Sequence, residues 1–115
     1  MVNQTLKQEI MALEADFCAA LSDPTRIFIL YALSEQPLNV TELTNELNIP
    51  QPTTSRHLKV LRERGLVDTE RQGTVIIYHL TDRRVIQALD LLRSAMRDRL
   101  TQRANLVTSM VKENE

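Results

Sequence analysis

Between Asn48 and Val67 the chain reads NIPQPTTSRHLKVLRERGLV. An amide (Gln51), three hydroxyls (Thr53, Thr54, Ser55), a guanidinium (Arg56) and an imidazole (His57) lie close together, and Lys59, Arg62 and Arg64 come after them. Short donors and acceptors ahead of a run of cations make a hydrogen-bonding surface for a polar, anionic partner. A packing face would have no use for them. Glutamine can bond adenine in bidentate fashion and arginine can bond guanine in the same way. Hydroxyls suit base edges or phosphate, and flanking cations suit phosphate. The rival reading is a surface helix whose hydroxyls cap its own N-terminus. One hydroxyl would fit that rival, but three beside Gln51, Arg56 and His57 favour a ligand.

Other chemistries are poorly served. Cys18 is the only cysteine, which excludes an intrachain disulfide and a CxxC-type zinc or redox site. The two histidines, His57 and His79, do not stand at metal-ligand spacing. No Gly-rich phosphate loop, nucleophile–base spacing or paired-carboxylate pocket is evident, so the chain does not read as an enzyme. The N-terminus carries Asn3, Gln4, Lys7 and Glu9 where a signal peptide would be apolar, and no apolar run approaches a membrane span. The expected compartment is the cytoplasm.

The formal net charge is −1, but it is unevenly spread. Residues 1–50 hold two basic residues, Lys7 and Arg26, and seven acidic ones; residues 51–103 hold eleven basic and six acidic ones. The halves thus carry −5 and +5, an asymmetry that points to a polyanion.

The elements that must position these groups are set by periodicity. The chain, 115 residues with 43% apolar and 25% charged, reads as one globular domain over 1–115 with an aliphatic core. Leu6, Ile10, Leu13, Phe17 and Leu21 form one stripe of an amphipathic first helix. Asp23 caps a second helix with Pro24 at its first position, running to about Ser34. A third short helix runs from Val40 or Thr41 to Leu47, capped by Thr41 or Asn39. Pro50 and Pro52 begin a fourth, which ends at Gly65; Thr54, Leu58 and Leu61 project to one side of it. The period then changes to two. Leu66–Glu70 and Thr74–Leu80 read as strands joined at Arg71-Gln72-Gly73. A long last helix begins after Asp82, with a stripe of Val85, Ile86, Leu89, Leu92, Met96 and Leu100 that extends toward Leu106, Val107 and Met110.

The order αααα, β-hairpin, α, with a tight turn between the third and fourth helices, is a helix-turn-helix with a wing after it. The expected fold is mainly α, a dimeric winged helix-turn-helix (ααααββα). The polar first turn of the fourth helix then becomes a reading head for the DNA major groove. Its contact set is Gln51, Thr53, Thr54, Ser55, Arg56, His57, Lys59 and Arg62, with Arg71, Gln72 and Thr74 from the wing.

Three stretches carry a family resemblance: ALSDPTRIFILYAL (20–33), VTELTNELNIPQPTTSRHLKVLRERGLV (40–67) and RQGTVIIYHL (71–80). In order and spacing the chain resembles the ArsR/SmtB family of bacterial winged-helix repressors. The resemblance implies a homodimer that binds a palindromic double-stranded DNA operator, represses transcription and is released by an effector, which the sequence does not name. It also implies a dimer interface from the first and last helices: Leu6, Ile10, Leu13 and Phe17 with Leu89, Leu92, Met96 and Leu100. The metal-sensing members carry ligands where this chain has Thr44, Glu46, Arg84 and Ala95, so no metal and no cofactor is expected. Pro50 replaces the serine-like cap often found before the reading helix. Cys18 is the one residue whose type could sense an effector; its neighbours Phe17, Ala19, Ala20 and Leu21 favour a packed, structural thiol instead. Two alternatives remain open: a winged-helix module that binds protein without reading DNA, and a thiol-responsive repressor acting through Cys18.

Overall fold

The computed structural model describes residues 2–113. Its elements are α1 (Gln4–Leu13), a π-helical turn (Glu14–Cys18), α2 (Pro24–Glu35), α3 (Val40–Leu47), α4 (Gln51–Glu63), β1 (Val67–Gln72), β2 (Val75–Leu80) and α5 (Arg84–Glu113). The chain forms two compact units, Met1–Arg83 and Arg84–Glu115.

The helix ends of the first unit are set by local chemistry. Asp23 caps α2 by accepting the Thr25 N–H at 2.8 Å. Asn39 caps α3 through a capping box: its Oδ1 accepts the Glu42 N–H at 2.8 Å, and the Glu42 carboxylate accepts the Asn39 N–H at 3.0 Å. Asn48, left-handed at φ 53°, ends α3. α4 closes in a Schellman motif: Gly65 at φ 79° donates to Arg62 O at 3.1 Å, and Leu66 donates to Leu61 O at 2.9 Å. Leu61 and Leu66 are both buried, the apolar contact that accompanies this motif.

The core of the first unit is aliphatic, as a chain without tryptophan requires. Ile29, Leu30 and Leu33 of α2, Leu43 of α3, and Leu58 and Leu61 of α4 are buried together with Leu38, Leu66 and Val67. β1 and β2 pair antiparallel with Val67 opposite Leu80 and Gln72 opposite Val75. Leu38 adds a single bridge to Tyr78, with bonds of 3.1 and 2.8 Å, so β2 is paired on both edges at that point.

Two sequence expectations shift here. The hairpin turn is Gly73-Thr74, not Arg71-Gln72-Gly73, because Arg71 and Gln72 belong to the ladder. Gly73 has φ 65° and Thr74 stays out of that region, the pattern of a two-residue type II′ turn. The first helical segment is not uniform either: Ala19 donates to Glu14 O across five residues, widening the helix by one residue per turn at 14–18.

α1 has no buried residue. α5, 30 residues long, has two, Ile86 and Leu89. Leu89, expected in the dimer interface, is 8% exposed. The rest of the stripe is open: Leu91, Leu92, Met96, Leu100, Leu106, Val107, Met110 and Val111 are all exposed.

Candidate nucleic-acid interface

α4 is placed by a three-residue turn, Asn48-Ile49-Pro50, after α3. Ile49 donates back to Thr44 O at 3.3 Å, and the Pro50 carbonyl accepts the Thr54 N–H at 3.1 Å. A hydroxyl pair locks the two helices: Thr44 Oγ1 and Thr54 Oγ1 lie 3.0 Å apart, and Thr54 Oγ1 also donates to Pro50 O at 3.3 Å. Thr54 is 0% exposed. The base-reading role expected for Thr54 is therefore wrong. It shares the 54-58-61 stripe with Leu58 and Leu61, and that stripe faces the core.

The start of α4 is built to leave donors open. Pro50 is the N-cap residue and makes no side-chain cap bond. Pro50 and Pro52 have no N–H, so the first turn presents the N–H groups of Gln51 and Thr53 without side-chain caps. Unpaired N–H groups at a helix start attract anions. Gln51, Ser55, Arg56, Lys59 and Arg62 are exposed, and Thr53 is half-buried. Lys59 meets Glu63 only at 4.0 Å with both side chains largely in water, so its charge stays available. Gln51, Ser55, Arg56, Lys59 and Arg62 line the arc opposite and beside the core stripe.

His57 turns elsewhere. It is half-buried, and its Nδ1 lies 3.4 Å from Arg26 Nη1 on α2. Beside the DNA contact expected of it, His57 reaches α2, because the helix rotation that buries Leu61 carries residue 57 toward that helix. Arg64, at the other end of α4, pairs with Asp16 of the π turn at 3.2 Å. The Asp23 carboxylate lies below the ordinary carboxylate range, chiefly because it accepts the Thr25 N–H.

At the wing, Arg71, Gln72 and Thr74 are exposed as expected. Arg71 Nε donates to Gly73 O at 3.1 Å, which braces the turn. Val75 and Ile76 beside them are also exposed, a feature the alternating pattern did not predict as outward on both faces.

Cys18 is exposed. Its packed, structural setting is therefore contradicted within one chain. The apolar neighbours that favoured burial are divided by the helix rotation: Ala20 is buried, while Ala19 and Cys18 face out. Among the described residues, no group of three or more His, Cys, Asp or Glu side chains could hold a metal ion. Thr44, at a family ligand position, is engaged with Thr54. No helix among the described residues is long and apolar enough to cross a membrane.

The model of the family described as bacterial regulatory protein, arsR family, matches residues 23–69, from the α2 cap through β1. The HTH-type transcriptional repressor SmtB of Mycobacterium tuberculosis is 40% identical over 75 residues, 65% of this chain and 56% of that protein. The match thus spans little more than half the length of that relative. The HTH-type transcriptional regulator NmtR of the same organism is 40% identical over 85 residues, 74% of this chain and 71% of NmtR. The crystal structure of Rv0081 from M. tuberculosis superposes with a TM-score of 0.74 at 30% identity, covering 83% of this chain and 96% of that one. On the shared helix-turn-helix sequence and this fold, the chain belongs to the ArsR family of bacterial regulatory proteins.

Proposed function

We propose that this protein is a transcriptional repressor that binds a palindromic operator as a homodimer, with α4 in the major groove and the hairpin against the flanking backbone. The observation that carries this reading is the first turn of α4. It joins uncapped N–H groups at Gln51 and Thr53 to an exposed arc of Gln51, Ser55, Arg56, Lys59 and Arg62. A module that binds protein would not need that arc. The repressor named among its relatives supports the same reading. In it, Gln51 and Arg56 read base edges, Thr53 and Ser55 reach bases or phosphate, and Lys59, Arg62, Arg71, Gln72 and Thr74 hold the backbone. The protein catalyses no reaction, and its work with duplex DNA is cytoplasmic.

The dimer is supported by apolar surface that one chain leaves uncovered. Leu6, Ile10 and Leu13 on α1 and Leu92, Met96 and Leu100 on α5 are all at least 40% exposed. Exposed stripes of that extent mark partner surfaces. Two-fold pairing would set two reading helices on half-sites about 34–36 Å apart. An effector then acts by favouring a dimer geometry that breaks this spacing.

The test is selection of duplexes from a random library, then anisotropy titrations of the selected and a scrambled duplex at several salt concentrations. Preference for the selected duplex, with affinity falling steeply as salt rises, is expected. Equal, salt-insensitive affinity for both would contradict the reading.

One observation favours a second reading. Cys18 is exposed, so a thiol-responsive repressor that forms a Cys18–Cys18 bridge between subunits is open to test. The bridge needs Cα atoms about 4.4–6.8 Å apart. Non-reducing gels after mild oxidation, with Cys18→Ser as control, decide it. A covalent dimer that loses DNA supports the thiol switch, and none excludes it.

A further inference from the structure

Arg26 joins three elements of the first unit. Its side chain is half-buried on α2. Nε donates to Ala20 O at 2.6 Å and Nη2 donates to Ala19 O at 3.4 Å. Those carbonyls lie at the C-terminal end of the first helical segment, just past the π turn. Ala19 O also accepts from Ser22 Oγ at 2.7 Å, so Arg26 adds to a carbonyl already capped and is the side chain that bonds Ala20 O. A cation there suits the negative end of the helix. The remaining arm, Nη1, lies 3.4 Å from His57 Nδ1 on α4. One planar guanidinium therefore touches the end of the first helix and the reading helix while anchored on α2. A rigid fork can do this, whereas the single ammonium of lysine cannot span the same points. Arg64 and Asp16 make a second link between α4 and the same π turn, through an exposed pair that adds little energy but the same connection.

The segment so gripped is irregular. Single π turns inside helices often accompany functional sites, and resetting one to α geometry rotates the residues on its C-terminal side. In this chain those residues are Ala19 and Ala20, the two acceptors of Arg26.

We propose that Arg26 is a positioning residue for the reading helix: its guanidinium clamps the carbonyl end of the first helix to His57 on α4, so that the geometry of the π-containing segment sets how α4 presents Gln51 and Arg56 to DNA. The inference rests on the DNA-binding reading of α4. It differs from that reading in that Arg26 itself touches no DNA.

The experiment compares wild type, Arg26→Gln, Arg26→Lys, His57→Ala and the double variant Arg26→Gln/His57→Ala. Each is titrated by anisotropy against the duplex selected with wild-type protein and a scrambled duplex, at four salt concentrations. Wild-type discrimination between the duplexes tests the DNA-binding reading alone. Given that discrimination, Arg26→Gln is expected to weaken binding to the selected duplex about tenfold while scrambled-duplex affinity stays within about twofold. The salt slope should not change, because no phosphate contact is removed. Arg26→Lys should lose discrimination similarly, since charge without the fork does not bridge the elements. The double variant should be no worse than the weaker single one, because both break one contact. A fall in the salt slope with equal loss on both duplexes would make Arg26 a phosphate contact and overturn the proposal. Unchanged discrimination in Arg26→Lys, or additive losses in the double variant, would also overturn it. Thermal melts identify unfolded variants; if Arg26→Gln fails to fold, Arg26→Lys and His57→Ala carry the comparison.

Discussion

α4 and α5 leave opposite kinds of surface uncovered. α4 has 13 residues, keeps Thr54, Leu58 and Leu61 buried, and shows water an amide, a hydroxyl and cations. α5 has 30 residues, buries Ile86 and Leu89, and shows water eight large apolar side chains from Leu91 to Val111. α4 has a finished apolar face, and its polar surplus has no structural use in one chain. α5 has an unfinished apolar face. A helix exposing charge fits a polyanion, and a helix exposing leucine fits a second apolar surface. The two surfaces call for two different partners, which the proposed DNA-binding dimer would supply.

That contrast can be broken at either end. Leu92→Arg places a charge in the surface assigned to a second copy, at a cost of several kcal/mol where it would be buried. Sedimentation should show a dimer for wild type at micromolar concentration and a monomer for the variant, with the fold of each chain retained by circular dichroism. At α4 the damage should be of the other kind. Leu58→Ala removes a fully buried side chain and should cost about 2–5 kcal/mol of folding stability in denaturant melts.

Substitutions on the exposed arc of α4 should leave stability alone and alter binding. Arg56→Ala should cost about 1–3 kcal/mol against the selected duplex and relax preference at one base position. Lys59→Ala should weaken all duplexes alike and lower the salt slope by about one. An Arg56→Ala protein with unchanged affinity and preference would remove Arg56 from the reading set.

The smallest effect concerns the α2 cap. The folded pKa of Asp23 lies below its ordinary value because the carboxylate accepts the Thr25 N–H. Its contribution to stability is therefore complete above the ordinary carboxylate range and drains away as pH falls through the lowered folded value. Asp23→Asn should melt with a shallower loss between neutral and strongly acid pH than wild type; identical pH profiles would count against the cap.

Much of the fold is legible in the sequence because its signals are local. Asp23, Asn39 and Gly65 announce helix ends, and the stripes in α2 and α4 set the buried faces. The hairpin turn falls one residue later than the strand-like run suggests: Gly73-Thr74 obeys the two-residue rule, but the β-branched run begins at Thr74 and draws it into the strand. The π turn is invisible to periodicity, since the stripe from Leu6 to Leu21 assumes an even 3.6-residue period. Within the site, the exposed positions Gln51, Ser55, Arg56, Lys59 and Arg62 are fixed by the stripe alone. Thr54 is not so simple: its residue type suggests a DNA contact while its spacing places it in the core, and spacing wins. The Arg26–His57 contact joins residues 31 positions apart, and no local pattern could find it. Cys18 departs from expectation for a related reason, because composition does not say which side of a helix turn faces out.

A hydroxyl-radical footprint on the selected duplex bears on the reading head itself. Two protected patches centred about 10–10.5 base pairs apart are expected, and dimethyl sulfate probing of guanine N7 in the major groove should show protection at each patch reduced by Arg56→Ala. A single patch, or protection that ignores Arg56, would contradict the assignment of α4 as the helix that reads DNA.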